Sequence, residues 1–414
     1  MLSTRPSPIA LAAAVAVLAS SPMALAANPP LTHSNYAIDV FQGPVLAPVR
    51  VSGLAGAYAP IAEGVEGIGV NTAAPAARSL YSTQHIDYDL SLGFTFPSAL
   101  RDTDFDNNGS VGFAYTDFVF TQLGGLIQWG PWGAGGLASL QTYTLGQDAS
   151  GQTLQLTTTR FQLQVARGLF DHELLVGIGL RAVSLTIDSD EVTKDSLASM
   201  FGVNAEAGVL WAPLALPLRA ALSLRAPVQG RLNPNGPTTA DDAGNVKVAD
   251  LYLPSSLKLP WEIEAGFAYQ FGSRPLQIAW GPDRAERYAA LPRAKLLLTG
   301  SVLISGAVSN AIGFESFLSQ QIERSGRHVV VSPRIGAELE PIENRLQVRA
   351  GSYLEPSRFD AFRPRLHGTA GAEVRLFRWS VFGLTSPETS WRINGFVDFS
   401  RLYFGWGIGA GIWR

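Results

Sequence analysis

The chain of 414 residues contains no cysteine. That excludes a disulfide framework and any thiolate metal centre. Charge is also scarce: Asp, Glu, Lys and Arg make up 16% of the chain, against about 25% in ordinary soluble domains. The formal balance of −3 at pH 7 gives no basic face for nucleic acid and no strong steering field. Long apolar runs are missing after the first 26 residues. The closest approach, residues 296–308, is broken by Thr299, Ser301 and Ser305, so nothing reaches the roughly 18 residues of a membrane-spanning helix.

What is present is apolar all the same. Mean hydropathy is +0.13, aromatics are 10%, and there are 42 glycines. An apolar chain without a spanning helix is expected of a transmembrane β-barrel, in which apolarity is spread over alternate positions.

The N-terminus carries Arg5, then "IALAAAVAVLAS", then Ala24-Leu25-Ala26. That order of charge, apolar core and small-x-small site is the pattern of a secretory signal peptide, residues 1–26, with the mature chain starting at Ala27. A membrane anchor is the alternative, but an apolar core of this length is too short to span a bilayer at about 1.5 Å per residue. Without Arg5 the balance becomes −4.

Alternation fills the rest. In "IDYDLSLGFTF" Ile86, Tyr88, Leu90, Leu92, Phe94 and Phe96 face one way, and Asp87, Asp89, Ser91, Gly93 and Thr95 the other. About fourteen such segments fall near residues 85–97, 110–128, 132–146, 152–167, 173–187, 199–211, 215–227, 256–271, 293–307, 327–339, 344–354, 365–378, 389–399 and 402–413. Leu366, Ala370, Ala372, Val374 and Leu376 oppose Arg365, His367, Thr369, Glu373 and Arg375. Such a polar face is too charged for a packed sandwich core, where each pair carries a desolvation cost, but suits a wide, wet lumen. Between Leu180 and Val183 the phase shifts, which reads as a bulge.

Every second connection is short: "GPWG", "RGLFD", "APLAL" and "EPIEN". Residues 272–294 break that rule. Trp129, Trp132, Trp211, Trp379, Trp391 and Trp413 fall at the short-turn end, as an aromatic girdle would. In the last segment Gly405, Gly407, Gly409 and Gly411 alternate with Phe404, Trp406, Ile408, Ala410 and Ile412. It reads as a closing strand with lipid on one side and something packed close against the other. Its aromatic ending suits the signal read by barrel-insertion machinery, although Arg414 follows Trp413.

Residues 28–84 do not alternate, and their centre is rich in Gly and Ala. A lumen of fourteen strands is too wide for wall side chains to fill, so this segment suits a plug folded back inside. A flexible tail is the alternative. Here the chain resembles a known family. "SGLAGAYAPIAEGVEGIGVNTAAPA" is similar to the N-terminal hatch signature of the FadL/TodX outer-membrane transporters of hydrophobic compounds, shared by PorV-type barrels. Gly53, Gly56, Ala57, Tyr58, Ala62, Glu63 and Gly64 fit its glycine-alanine run, and Asn71 fits its turn asparagine. Thr72 stands where proline is usual. "RIGAELEPIENRLQVRAGSYLEPSRF" resembles the family's paired late strands.

The resemblance implies an all-β, fourteen-stranded barrel (residues 85–414) behind an N-terminal hatch (27–84) in the outer membrane of a Gram-negative cell. It implies passive passage of hydrophobic compounds such as long-chain fatty acids, with no cofactor and no covalent chemistry. A lumenal pocket with one cationic group would suit a carboxylate. Candidate cations are Arg334, Arg349, Arg365 and Arg375, which could instead pair with Glu338 and Glu373 in the wall. The rival reading is a PorV-like barrel that binds secreted partners, or a purely structural one; the loop bearing Ile312, Phe314, Phe317 and Leu318 could serve either the channel or the partner-binding role.

Two further patterns are weaker. "DFDNNG" matches the start of a calcium loop, with Asp104, Asp106 and Asn108 as ligands and Gly109 at the turn. Tyr115 stands where the bidentate Glu belongs, and an acidic hairpin tip fits as well. The five histidines, His33, His85, His172, His328 and His367, come with no serine motif, so no enzymatic centre is expected.

Overall fold

The computed structural model describes residues 28–413, apart from 81, 98–102, 112–114, 146–153, 190–195, 235–238, 241–243, 249–250, 293–294, 361–362, 381–382, 384 and 388. The expected signal peptide and Arg414 lie outside the described residues.

Fourteen strands make one closed wall. They are β1 (Ile86–Phe96), β2 (Tyr115–Trp129), β3 (Trp132–Leu145), β4 (Leu154–Leu169), β5 (Leu174–Ser189) and β6 (Ala198–Trp211). β7 runs in two segments, Leu218–Arg225 and Val228–Pro234, and so does β8, Ser256–Leu259 and Glu262–Phe271. β9 (Leu296–Ser305), β10 (Val330–Ile342), β11 (Leu346–Glu355), β12 (Arg365–Arg378), β13 (Ser390–Ser400) and β14 (Tyr403–Ile412) follow. Each pairs antiparallel with its neighbour, and β14 returns to β1 from Gly411↔Ser91 to Trp406↔Phe96. Closure leaves no free edge strand, a condition for spanning lipid with strands.

The outer face is apolar through the middle of the wall, and turns polar at the long-loop end of β7 with Gln229 and Arg231. Leu163, Ile178, Ile335 and Leu366 are 64%, 65%, 64% and 67% exposed. A soluble protein does not leave such a continuous apolar surface in water. No helix among the described residues is long and apolar enough to cross a membrane. Trp129, Trp132, Trp211 and Trp379 are exposed at the short-turn end, where the girdle was expected.

The inner face is not uniformly wet, contrary to expectation. β5 keeps its register against β4 and β6 through Leu180 and Val183, without a bulge. Arg181, Val183, Leu185 and Ile187 all point inward and are buried. The change of phase is a change of lumenal medium. At the long-loop end Val183, Leu185 and Ile187 join Phe105, Met200, Leu257, Phe317 and Tyr403 in a dry core. Leu31, Tyr36, Ile38 and Val40 of the N-terminal segment complete it. There Ala37–Asp39 pairs parallel with residues 256–258 of β8 and with Ala311–Ile312.

The glycines of β14 face inward, as expected. A Cβ on Gly409 would stand 2.5 Å from Asn394 Oδ1, 3.0 Å from the Leu92 carbonyl and 3.1 Å from Val49 Cγ2. Gly409→Val is therefore expected to lower stability by about 1–3 kcal/mol through overpacking, read as loss of the heat-modifiable folded band on gels. Ile408→Val, on the lipid face, should leave that band intact.

Candidate functional site: a filled lumen and a break in its wall

The N-terminal segment enters at the long-loop end and descends through the lumen. It forms α1 (Val49–Gly53) and two 3-10 turns, Val65–Gly67 and Ala74–Ala76, all buried. Small residues on both partners allow this contact. A Cβ on Gly177 would meet the Thr72 carbonyl at 1.9 Å, and one on Gly133 the Pro75 carbonyl at 1.8 Å.

An irregular buried backbone needs partners for its carbonyls, and polar wall residues supply them. Thr299 Oγ1 donates to Ala57 O (2.8 Å), Gln164 Nε2 to Ile68 O (2.6 Å) and Gln128 Nε2 to Pro75 O (2.8 Å). The signature residues have structural duties. Gly56 holds φ +77° beside the Arg334 guanidinium, and Gly53 lies against Gly371 of the wall. Tyr58 Oη donates to Glu63 O (2.9 Å). Asn71 Nδ2 donates to Ala59 O (3.2 Å) and Val209 O (3.3 Å).

Charge ties the segment to the wall. Arg50 grips Glu338 with Nε at 2.9 Å and Nη2 at 2.8 Å. Glu338, with no exposure, also accepts from Arg349 Nε (2.5 Å) and Lys295 Nζ. Arg349 continues to Glu373 (2.8 Å), Glu373 to Arg392 (3.2 Å), and Arg392 to Glu66 of the segment (2.9 Å). Arg219 holds Glu63 at 2.9 Å.

The four sequence-derived arginines are scattered. Arg349 lies in the network just described. Arg365 is at the long-loop end, on Glu355 at 2.5 Å and the Asp104 carbonyl at 2.6 Å. Arg375 is half-buried near the other end and donates to Ser390 Oγ (2.7 Å). Arg334 faces a cavity. The carboxylate of Asp104 accepts from the Asn108 and Gly109 amides (2.9 and 3.0 Å), Asp106 Oδ1 from the Asn108 amide (3.2 Å), and Asn108 Nδ2 donates to Glu315 (2.8 Å). His367, fully buried, is held between Asp398 (2.8 Å) and Glu355 (2.6 Å).

Residues 272–292, long as they are, lie at the short-turn end. They clamp the foot of the segment. The Trp280 ring stacks under Arg78 at 4.0 Å and has Arg284 at 5.5 Å. Arg284, in α2 (Arg284–Ala289), donates to Ser82 O (2.8 Å) and Ser79 O (2.9 Å). His172 packs on the same indole at 5.6 Å. Burial, with Arg78 and Arg284 nearby, pushes its pKa down to about 4.

The β6–β7 ladder is interrupted at mid-height, where the Ala226 amide still donates to Ala205 O (3.1 Å) and Asn204 Nδ2 to Pro227 O (2.6 Å). β6 pairs with β7 as Phe201↔Arg231 and resumes as Glu206↔Arg225, with residues 202–205 between. The β7–β8 register is the same on both sides of the gap, Arg225↔Glu262 and Val228↔Leu259, so Pro227 stands opposite Pro260. Neither can donate to the ladder. Arg181 fills the gap from β5: its guanidinium donates to Ala226 O (2.7 Å), Pro260 O (2.7 Å) and Glu262 (2.7 Å). Outside the break lies an apolar concavity of about 1460 Å³ that reaches Ile178, Leu180, Leu224 and Ile263. Inside is a cavity of about 170 Å³ between the N-terminal segment and the wall. Arg225 and Glu262 line both.

Sequence reasoning missed Arg50, Arg181, Arg225 and the proline pair. Only the β7–β8 register shows that Pro227 and Pro260 meet.

Two outcomes are expected. Arg50→Met leaves part of Glu338's charge uncompensated, at about 3 kcal/mol, so amide exchange across residues 49–76 should accelerate about 100-fold. His172 titrates near 6.5 when unfolded and near 4 when folded, so its support for the clamp is whole above 6.5 and is lost as pH falls towards 4. Exchange in residues 82–85 should rise over that window, and His172→Gln should flatten the rise.

No family model matches the chain, and no curated protein matches it in sequence. Solved structures do match. The P. putida toluene transporter TodX aligns with a TM-score of 0.52 at 12% identity, over 92% of this chain and 98% of that one. A TodX deltaS2S3 mutant monoaromatic hydrocarbon channel gives 0.51 at 12%, over 88% and 98%. This chain therefore shares its fold with hydrophobic-compound channels of the type that its N-terminal signature resembles.

Proposed function

We propose that the protein is an outer-membrane channel for passive passage of hydrophobic compounds. The observation that carries this reading is the break in the wall. It sets a lumenal cavity and a lipid-facing apolar concavity on either side of one Arg181–Glu262–Arg225 cluster. A molecule taken from the long-loop side would shift the N-terminal segment, enter the cavity and leave sideways into lipid when the cluster parts. Long-chain fatty acids fall within this class, and so do compact aromatics such as the toluene of TodX.

The partner-binding reading has less support. Ile312, Phe317 and Leu318 are buried in the dry core and so offer no exposed apolar docking surface. Apart from the lumenal cavity, the N-terminal segment fills the lumen beside it, which suits a channel that excludes polar solutes.

Proteoliposomes holding the full chain test this. Saturable entry of labelled toluene or hexadecanoate, with sucrose excluded, is expected. Absence of entry for both, with protein inserted and folded, would overturn the reading.

A further inference from the structure

The inner cavity has a chemistry that the channel reading alone does not supply. Its volume of about 170 Å³ is close to the roughly 150 Å³ of an engineered apolar cavity that holds benzene. Part of its lining is apolar: Phe41, Leu46 and Val70 from the N-terminal segment, Phe120, Leu137 and Leu303 from the wall. Gln42, Gln122, Ser139 and Gln162 add neutral polar groups, and four guanidinium groups (Arg160, Arg181, Arg225 and Arg334) stand against two carboxylates, Glu262 and Glu264.

Their engagement differs. Arg181 is committed to two carbonyls and Glu262. Arg225 is committed to the Val70 carbonyl, with Glu262 at 3.6 Å and Glu264 at 3.5 Å. Arg160 holds the Val40 carbonyl at 2.7 Å. Arg334 is less occupied. Its Nη1 reaches Gly56 O at a long 3.4 Å and Glu264 at 3.7 Å, and its Nε is buried without a hydrogen-bond partner. Its side chain is only 12% exposed. A buried donor left unmade is costly, and a carboxylate can meet the Nε and Nη edge of a guanidinium with two parallel bonds.

We propose that this cavity binds a compact hydrophobic anion, a monoaromatic carboxylate in size and charge, with Arg334 as its cationic contact. The proposal rests on the channel reading and narrows its substrate class. A neutral hydrocarbon of the same size fills the space but leaves the Arg334 Nε unsatisfied. Glu264 repels an anion: its Oε1 accepts from Ser301 Oγ at 2.9 Å, its Oε2 is buried without a hydrogen-bond partner, and Arg225 and Arg334 flank it at 3.5 and 3.7 Å. The local excess therefore stays positive.

The test uses the purified full chain in nanodiscs, with benzoate as probe and benzamide as its uncharged counterpart. Benzoate is expected to bind at least tenfold more tightly than benzamide by calorimetry. Arg334→Gln should abolish that preference, and Arg334→Lys, which keeps the charge but not the fork, should retain part of it. Equal affinity for the two probes in the unmodified protein would overturn the proposal even if both variants failed to fold. So would an unchanged preference in a folded Arg334→Gln variant. Toluene influx into vesicles separates the two readings. Toluene entry with no benzoate binding sinks only this inference, whereas no entry of toluene or hexadecanoate sinks the channel reading beneath it.

Discussion

A carboxylate with no exposure to water needs cations around it, and in this barrel three converge on Glu338. Arg349 and Lys295 come from the wall. Arg50 comes from the N-terminal segment. Taking these groups out of water is expensive, and only the complete set repays it. The wall alone cannot complete the set, because one member belongs to a segment more than 280 residues away in sequence. That requirement makes the lumen and its filling one structure. The chain from Arg349 through Glu373 and Arg392 to Glu66 extends the same dependence along the segment.

Two media follow inside one barrel. Around α1 and the 3-10 turns, the wall offers amides, hydroxyls and guanidinium groups to an irregular backbone that has no ladder of its own. At the long-loop end the same wall positions become Val183, Leu185 and Ile187, because there they meet Tyr36, Ile38 and Val40. The cavity beside Arg334 lies between the two regions, apolar on some sides and charged on others. Mid-height is also where the β6–β7 ladder is interrupted, since two facing prolines leave Arg181 to satisfy the carbonyls.

Most of the barrel was legible in the sequence because parity is a local property. Arg365 to Leu376 and Trp391 to Phe399 show their two faces without any knowledge of their neighbours, and the glycines of β14 announce a close contact. Residues 28–84 were legible as a filling by composition, and by signature as similar to a known hatch. What stayed hidden depends on register or on distant partners. Pro227 and Pro260 are unremarked until β7 and β8 are aligned. Arg50 lies outside any alternating segment, so its pairing with Glu338 had no local signal. Val183 was read as a slip in phase because a uniformly wet lumen was assumed. Residues 272–294 looked like an exception to the turn pattern, and their role came from Trp280 and Arg284 closing on the foot of the segment.

The central claim is that the N-terminal segment sits inside the lumen and is held there by the charges centred on Glu338. The absence of native cysteine allows a direct test with a single thiol at Ala57, which is fully buried. Labelling with a membrane-impermeant maleimide should be negligible in that otherwise unaltered chain, and rapid once Glu338→Gln and Glu373→Gln are added. Rapid labelling of Ala57→Cys with the network intact would contradict the account.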